Sequence, residues 1–234
     1  KRWGIATATL AGAALLAVAS NATSLYNTYE YSKLTMRGGH SELSSGNANS
    51  TKGGLDKNYI TAWSYGKSET FTLLIPNVKG GATIIPTHGE NLPTSVADLP
   101  YVQEKVMKGE IDEYDAQNLG MFPQYFGYQP MTNGPVYVGA LVVALFLLGL
   151  TTVRGSMTWA LLFVTILSIL LAWGHNMMWL TDWFIDRFPM YNKFRTVSSI
   201  LVIAEFTMPL LGALAIQRII DTPDWFKKNR ICFY

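Results

Sequence analysis

The fold is decided by the stretch VYVGALVVALFLLGLTTV, residues 136–153, which contains no charged side chain. Three further runs share this character, at 3–20, 157–173 and 198–217, and Glu205 is the only charged residue in any of the four. A helix needs about 20 mainly apolar residues, with a range of about 17–25, to cross the ~30 Å hydrocarbon core of a bilayer. In lipid the backbone must also satisfy its own hydrogen bonds. The sequence therefore predicts a mainly α, polytopic membrane protein with four transmembrane helices.

The composition of the whole chain agrees with a membrane protein. Charged residues make up 15% of the 234 residues, against about 25% in soluble proteins. Hydrophobic residues make up 49%. The net charge is only +2, and no basic stripe with interleaved aromatics is present, so we expect no nucleic-acid partner. The single cysteine, Cys232, excludes an internal disulfide.

The basic residues that flank the four runs give an orientation. Seven of them fall on one side of the membrane if the chain crosses four times: Lys1, Arg2, Arg154, Arg218, Lys227, Lys228 and Arg230. Because basic residues favour the cytoplasm, both ends of the sequence are predicted to be cytoplasmic. The first run also resembles a secretory signal, with small residues at 17–19, although we favour a retained helix. Either interpretation places residue 21 onward outside.

This orientation divides the chain into four parts. Residues 1–20 form a transmembrane helix, 21–135 a small, mostly helical extracytoplasmic domain, 136–217 three transmembrane helices with an interfacial helix near 176–188, and 218–234 a cytoplasmic tail. The outer domain carries 8 basic and 11 acidic side chains. Its segment 38–54 is rich in Gly, Ser and Asn, which favours a flexible connection. Apolar spacing then predicts short helices, or a helix and a strand, in 55–75, and a helix interrupted at Gly109 in 96–119.

The second outer segment predicts an amphipathic helix at the membrane surface. Aromatic residues recur at helical spacing, with Asp182 and Asp186 predicted on the other face, and Pro189 ends the pattern. The apolar positions are Trp179, Leu180, Trp183, Phe184 and Phe188. Tryptophan is enriched at membrane interfaces, where its ring is partly solvated.

The stretch PMYNKFR, residues 189–195, predicts an anion-binding site. It places Lys193 and Arg195 on the outer side, against the usual cytoplasmic bias of basic residues. The next helix begins near 196–199, so its N-terminal N–H groups face the same surface. Cationic side chains beside a helix N-terminus suit a phosphate or pyrophosphate. Alternatively, Lys193 and Arg195 bind lipid headgroups or pair with Asp182 and Asp186.

Glu205 is the acid within the fourth run, and Pro209 follows it by four residues. Proline has no N–H for the carbonyl of Glu205, so the helix is weakened where the acid lies. An ionisable residue at this depth indicates a polar cavity wall or a basic partner on another helix, since isolated charge in lipid is costly. The alternative is a protonated or paired glutamate that serves helix packing.

The remaining polar residues give weaker signals. Gln129 and Tyr128, beside the Asn133-Gly134-Pro135 turn that precedes the second run, are candidates for sugar contacts, although turn formation explains that tripeptide equally well. Residues 112–115 carry three acids, for which a solvated helix face is a better interpretation than a metal site. His40, His88 and His175 lack zinc spacing. We find no cofactor motif and predict neither a cofactor nor a metal ion.

Several short motifs, taken in order, resemble the YfhO-type bacterial membrane proteins, and the resemblance extends from about 21 to 217. They are Ser64-Tyr65-Gly66 with Glu69, Leu74-Ile75-Pro76, Gly80-Gly81, Tyr128-Gln129-Pro130, Gly134-Pro135-Val136-Tyr137, and Pro189-Met190-Tyr191-Asn192-Lys193-Phe194-Arg195. That family has about a dozen membrane helices and is similar to the GT-C glycosyltransferases. The chain thus resembles a central portion of such a protein. The resemblance implies a multi-pass location in the bacterial cytoplasmic (inner) membrane.

The resemblance implies transfer of a sugar from a polyprenyl-phosphate carrier to a cell-envelope glycan acceptor on the outer face. Arg195 would hold the carrier phosphate with help from Lys193, and Tyr191, Gln129, Glu69 and Glu205 complete the expected substrate-binding set. The catalytic acid of such enzymes is expected on the first outer loop of the whole protein, which this chain lacks by the same comparison. The alternative is a non-catalytic scaffold or a transport component for lipid-linked glycans.

Overall fold

A computed structural model of the protein describes residues 2–35, 51, 54–83, 95–132 and 136–222. In these ranges the chain is mainly helical and forms no strand; an isolated bridge pairs Ser95 with Pro123, and Asp56 is also a bridge residue. The possible strand in 55–75 is therefore absent, and a 3-10 helix, Lys67–Leu73, occupies that stretch. Four predicted features lie outside the described residues: most of the 38–54 connection, the Asn133-Gly134-Pro135 turn, His40 with His88, and the tail beyond 222.

The α-helices of the described ranges are α1 Arg2–Ser20, α2 Ala22–Lys33, α3 Lys57–Ile60, α4 Pro100–Met107, α5 Glu113–Leu119, α6 Ala140–Thr152, α7 Ser156–Ala172, α8 Met178–Arg187 and α9 Val202–Asp221. Besides Lys67–Leu73, 3-10 turns occur at Val96–Asp98, Gly174–Met177, Tyr191–Lys193 and Val197–Leu201. The predicted interruption of the 96–119 helix occurs between α4 and α5, where Gly109 has φ +71°.

The chain forms two compact units. Unit 1 comprises Lys1–Tyr59 with Ile185–Phe194, and unit 2 comprises Ile60–Phe184 with Arg195–Tyr234. Unit 1 contains α1, whose residues from Trp3 to Ser20 are exposed along the whole helix. Unit 2 contains α6, α7 and α9, which pack against one another.

Among the described residues, two helical segments are long and apolar enough to cross a membrane, Trp3–Ser20 and Val197–Asp221. A third crossing arises if α7 and the helix that follows it, bent by 114°, form one span. The apolar helix α6, with 13 residues, is shorter than these candidate spans. These apolar helices indicate a membrane protein. In the described residues two segments, or three with the bent pair, are long enough for a span, so the predicted number of four is not confirmed.

The core of unit 2 depends on close approach between α6 and α9. A Cβ atom added to Gly149 of α6 would lie 2.7 Å from Leu211 Cγ, and one added to Gly212 of α9 would lie 3.1 Å from Leu145 Cβ. Small residues let helix backbones approach closely, as membrane helices often do. The buried face of α9 also contacts α7, where Thr165 and Thr207 share a 2.6 Å hydrogen bond. The Thr165 hydroxyl donates to the carbonyl of Leu161, so Thr207 is the donor in this pair.

Two of the predicted apolar runs begin without regular helix. Residues 136–139 are not helical, and Gly139, at φ +112°, donates its N–H to the carbonyl of Leu73 before α6 starts. The fourth run begins with the 3-10 turn Val197–Leu201 after Thr196, whose φ is +68°. Hydropathy gives both runs their extent, whereas these backbone angles set where the α-helices begin.

The predicted surface helix is present as α8, but its faces differ from the prediction. Thr181 and Ile185 are its buried residues, while Trp179 and Trp183 are 70% and 47% exposed. Asp186 lies on the same exposed face as the two tryptophans. The predicted separation of aromatic and acidic faces is therefore wrong, because Thr181 and Ile185 rather than the aromatic residues form the packed side.

Candidate functional site

The segment 63–73 is bound to the ends of the apolar helices of unit 2. The Tyr65 N–H donates to the carbonyl of Ala172, at the end of α7, over 2.8 Å. The Ser198 N–H donates to the carbonyl of Trp63 over 3.4 Å, just before α9. Side chains add two bonds, from Asn176 Nδ2 to the Tyr65 carbonyl (3.0 Å) and from Trp173 Nε1 to Thr70 Oγ1 (2.9 Å).

A close contact at Gly174 fixes the same junction. Ser64 Oγ accepts the N–H of His175 over 2.9 Å and donates to the carbonyl of Thr61 over 2.6 Å. A Cβ on Gly174, whose φ is +47°, would lie 2.0 Å from Ser64 Oγ and 2.6 Å from Val197 Cγ2. Only glycine fits between these atoms, and the chain turns sharply into α8 here.

Glu69 is the buried acid of this segment, with no exposed surface. One carboxylate oxygen accepts the backbone N–H of Gly66, and the other accepts the Tyr125 hydroxyl in a short hydrogen bond. Tyr125 Oη in turn accepts the N–H of Gln129 over 3.0 Å. A buried carboxylate needs such donors, because burial without them is costly. The structure thus joins two predicted site residues, Glu69 and Gln129, through Tyr125.

Tyr65 and Tyr125 are both buried phenols with raised pKa values. Burial is the main cause for Tyr65 and raises its pKa to about 12, with smaller contributions from the charges of Glu69 and Glu205. For Tyr125, burial and the hydrogen bond to Glu69 raise the pKa well above its usual value. The Tyr65 hydroxyl bonds Thr72 Oγ1, which donates to the carbonyl of Glu69 over 2.6 Å. Both phenols are therefore neutral hydrogen-bond donors at physiological pH.

Two glycines allow this polar network to close. A Cβ on Gly127 would lie 1.9 Å from Glu69 Oε1 and 2.1 Å from Tyr125 Oη. A Cβ on Gly66 would lie 2.5 Å from the Tyr128 ring. The Tyr128 ring therefore covers Gly66, and it meets His175 edge-on at 6.2 Å between ring centroids.

Arg195 lies directly before the N-terminal turn of the last apolar segment. Its guanidinium carbon is 4.8 Å from the centroid of the Trp63 ring, a cation–π distance. Trp63 is itself fixed, because its Nε1 donates to the carbonyl of Met131 over 3.0 Å. The Arg195 residue is exposed. A second such pair joins Lys67 Nζ and the Trp173 ring at 5.9 Å. Each end of the 63–67 segment thus takes part in one cation–π pair, Trp63 with Arg195 and Lys67 with Trp173.

Lys193 and Tyr191 belong to unit 1, not to the unit that contains Arg195. Both are half-buried in the 3-10 turn Tyr191–Lys193, and burial raises the pKa of Tyr191 to about 12. The neighbouring Asn192 carbonyl accepts the N–H of Leu55 over 2.9 Å. This turn follows Met190, whose φ is +66°.

Glu205 lies in the first turn of α9 and is exposed. It is the ninth residue of the Val197–Asp221 segment. Among the described residues, no group of three or more His, Cys, Asp or Glu side chains is placed to hold a metal ion.

Sequence reasoning missed the residues that complete the site. Tyr125 and Trp63 carried no motif signal, and their partners Glu69 and Arg195 lie 56 and 132 positions away. One sequence signal points to such close packing: Gly66 and Gly127 each lie directly beside aromatic residues in the chain.

Comparison of the chain with protein-family models, with curated proteins and with solved structures found no match. A function must therefore be argued from the geometry of these residues.

Proposed function

We propose that the chain is part of a polytopic membrane glycosyltransferase of the GT-C type. It binds a polyprenyl-phosphate-linked sugar at the outer face of the cytoplasmic membrane, for transfer to an envelope glycan acceptor. One observation carries the proposal: Arg195 lies over Trp63 directly before the last apolar helical segment. A cation at the end of a membrane helix is at the depth of a lipid phosphate. Its planar guanidinium can donate two parallel hydrogen bonds to phosphate oxygens.

The proposal includes four crossings, with α6 as the second. A helix of 13 residues rises only about 20 Å, but the four non-helical residues that precede it add up to about 13 Å, which together match the ~30 Å hydrocarbon core. A buried apolar cluster is formed by Leu73, Phe146, Met208 and Leu211. Residues 136, 138, 142, 143 and 150 all pack against it, which supports one continuous crossing element.

Around Arg195, other groups suit the remaining parts of such a substrate. The exposed tryptophans of α8, Trp179 and Trp183, would contact the prenyl chain at the interface. Gln129 is half-buried beside the exposed Tyr128 ring, where a sugar hydroxyl finds an amide and an aromatic face. Glu69 would act indirectly, by fixing Gln129 through Tyr125.

The experiment compares sugar transfer by the Arg195→Gln and Arg154→Gln variants, each produced in the native host. Charge-assisted hydrogen bonds contribute about 1.5–3 kcal/mol each, so Arg195→Gln should lower sugar transfer from a labelled polyprenyl-phosphate donor by at least roughly tenfold. Arg154 is exposed between α6 and α7, at the end of these helices away from the 63–73 segment, and its substitution should leave transfer unchanged. Equal transfer by both variants would exclude the role of Arg195.

A second candidate is a non-catalytic scaffold or a transport component for lipid-linked glycans. The burial of Glu69 favours it, because both carboxylate oxygens already accept hydrogen bonds within the fold and the acid has no exposed surface for a ligand. Unaltered envelope glycans in a strain without the gene, together with donor binding that still depends on Arg195, would favour this candidate.

A further inference from the structure

The exposed face of α9 carries one acid within a stripe of apolar residues. The members, which we call the α9 stripe, are Val202, Glu205, Phe206, Pro209, Ala213, Ile216 and Ile220. They recur every three or four positions, so they share one helix face. The other face, with Ala204, Met208 and Leu211, is packed in the core of unit 2.

Glu205 lies below the membrane surface if this segment spans the bilayer. The segment Val197–Asp221 has 25 residues, or about 37 Å, which exceeds the ~30 Å hydrocarbon core by about 7 Å. Glu205 is eight positions from its outer end, at about 12 Å. Even if the whole excess lies on that side, the acid is about 5 Å inside the hydrocarbon.

Two polar groups need a donor at this point of the stripe. The first is the Glu205 carboxylate, which among the described residues forms no ion pair or hydrogen bond. The second is the carbonyl of Glu205, since Pro209 has no N–H to donate to it. Lipid tails satisfy neither group, and both costs are large in hydrocarbon.

We propose that the α9 stripe is the docking surface for a further membrane helix that presents a Lys or Arg side chain to Glu205. Such a side chain has several N–H donors, enough for the carboxylate and the carbonyl together. A headgroup amine remains at the interface, above the depth of Glu205, so a protein helix fits better than a lipid. Ala213, one turn below Pro209, gives the second helix room to approach. This inference is independent of the proposed sugar transfer.

The experiment uses photo-cross-linking in membranes of cells that make the protein in its native form. A benzoylphenylalanine replaces Phe206 on the stripe or, as a matched control, Phe163 on α7. The two side chains are 66% and 65% exposed and lie within about one helical turn of the same depth, since Thr207 and Thr165 face each other. Cross-linked peptides are identified by mass spectrometry.

Position 206 should cross-link to a membrane helix that contains a Lys or Arg, and roughly tenfold more than position 163. Glu205→Gln should lower this yield by roughly tenfold, equivalent to about 1.4 kcal/mol of association free energy. Exchanging the charges, with Glu205→Lys and an acid at the identified basic residue, should restore it. If the Glu205→Gln variant fails to accumulate in the membrane, recovery of the protein level in the charge-exchanged pair, and not in either single variant, supports the proposal.

Three results would overturn the docking surface. The first is cross-linking to lipid alone or at the same yield as the control position. The second is a partner helix with no basic residue. The third is a yield that Glu205→Gln leaves unchanged, or an exchanged pair that restores neither cross-linking nor production.

Discussion

Glu69 illustrates how one buried side chain organises the 63–73 segment of unit 2. Its carboxylate receives donors from Gly66, three residues before it, and from Tyr125, 56 residues after it. The local bond sets the start of the 3-10 helix Lys67–Leu73, and the distant one holds the 125–129 segment against it. Loss of either donor would leave a buried oxygen unsatisfied.

Tyr125→Phe should therefore destabilise the fold. The variant removes the donor to Glu69 and the acceptor of the Gln129 N–H, and an unsatisfied buried group costs about 1–3 kcal/mol, or more when charged. Thermal unfolding in detergent micelles should show a clearly lower Tm. Tyr114→Phe is the matched control, because that ring is 72% exposed and its substitution should change stability by less than about 0.5 kcal/mol. Equal Tm values for the two variants would contradict this role for Tyr125.

The buried phenol of Tyr65 predicts how stability depends on alkaline pH. Its pKa rises from 10.0 to about 12 on folding, so the folded state favours the neutral form. This stabilisation is complete below about pH 10 and is lost as the pH rises from about 10 to about 12. The phenolate absorbance of the native protein should contain a component near pH 12 that Tyr65→Phe diminishes. Loss of absorbance near pH 10 instead would show that Tyr65 is not buried as described.

At the residue scale the sequence predicts types of side chain better than their partners. Arg195, Glu69 and Gln129 were singled out from short motifs. The structure brings Glu69 and Gln129 together and stacks Arg195 on Trp63. The partners Tyr125 and Trp63 could not be predicted, since their contacts depend on how distant segments pack. Only the fold brings residues 56 or 132 positions apart into contact.

At the scale of helices, hydropathy predicts how long each apolar run is, whereas the backbone conformation determines where each helix begins and ends. The run at 157–173 became α7, Ser156–Ala172, almost unchanged. The run at 136–153 became the shorter α6, because Gly139 at φ +112° keeps the preceding residues out of the helix. A glycine in such a conformation cannot be distinguished by hydropathy from one inside a membrane helix, such as Gly149.

Gly174 should be the glycine most sensitive to substitution at the turn between α7 and α8. Gly174→Ala would bring Cβ within 2.0 Å of Ser64 Oγ at a φ of +47°, so the 114° bend should relax. Spin labels at positions 163 and 183 should then give a longer and broader distance distribution. Gly109→Ala is the matched control: its φ is also positive, at +71°, but nothing lies within 4 Å, so it should cost only about 1 kcal/mol and leave the distance unchanged. A shift of similar size in both variants would assign the effect to backbone strain alone.

For the whole molecule, the short turn between α6 and α7 decides the topology. Only residues 153–155 separate the two helices, which must therefore run in opposite directions, and Arg154 is exposed in that turn. Because the 63–73 segment binds the other end of α7, this segment and Arg154 belong to opposite ends of these helices. The orientation predicted from the charges requires this separation, since it places Arg154 in the cytoplasm and Arg195 outside.

Single cysteines at positions 107 and 156 should consequently be labelled from opposite sides of the membrane. Met107 is 81% exposed at the end of α4, and Ser156 is exposed at the start of α7. In a Cys232→Ser background, a membrane-impermeant maleimide added to intact cells should modify Met107→Cys and spare Ser156→Cys, and inverted vesicles should reverse the pattern. The comparison tests the membrane assignment itself: if α6 and α7 belonged to a soluble core, both cysteines would react from the same side. Labelling of position 156 alone in intact cells would instead invert the orientation, and Arg195 would then face the cytoplasm.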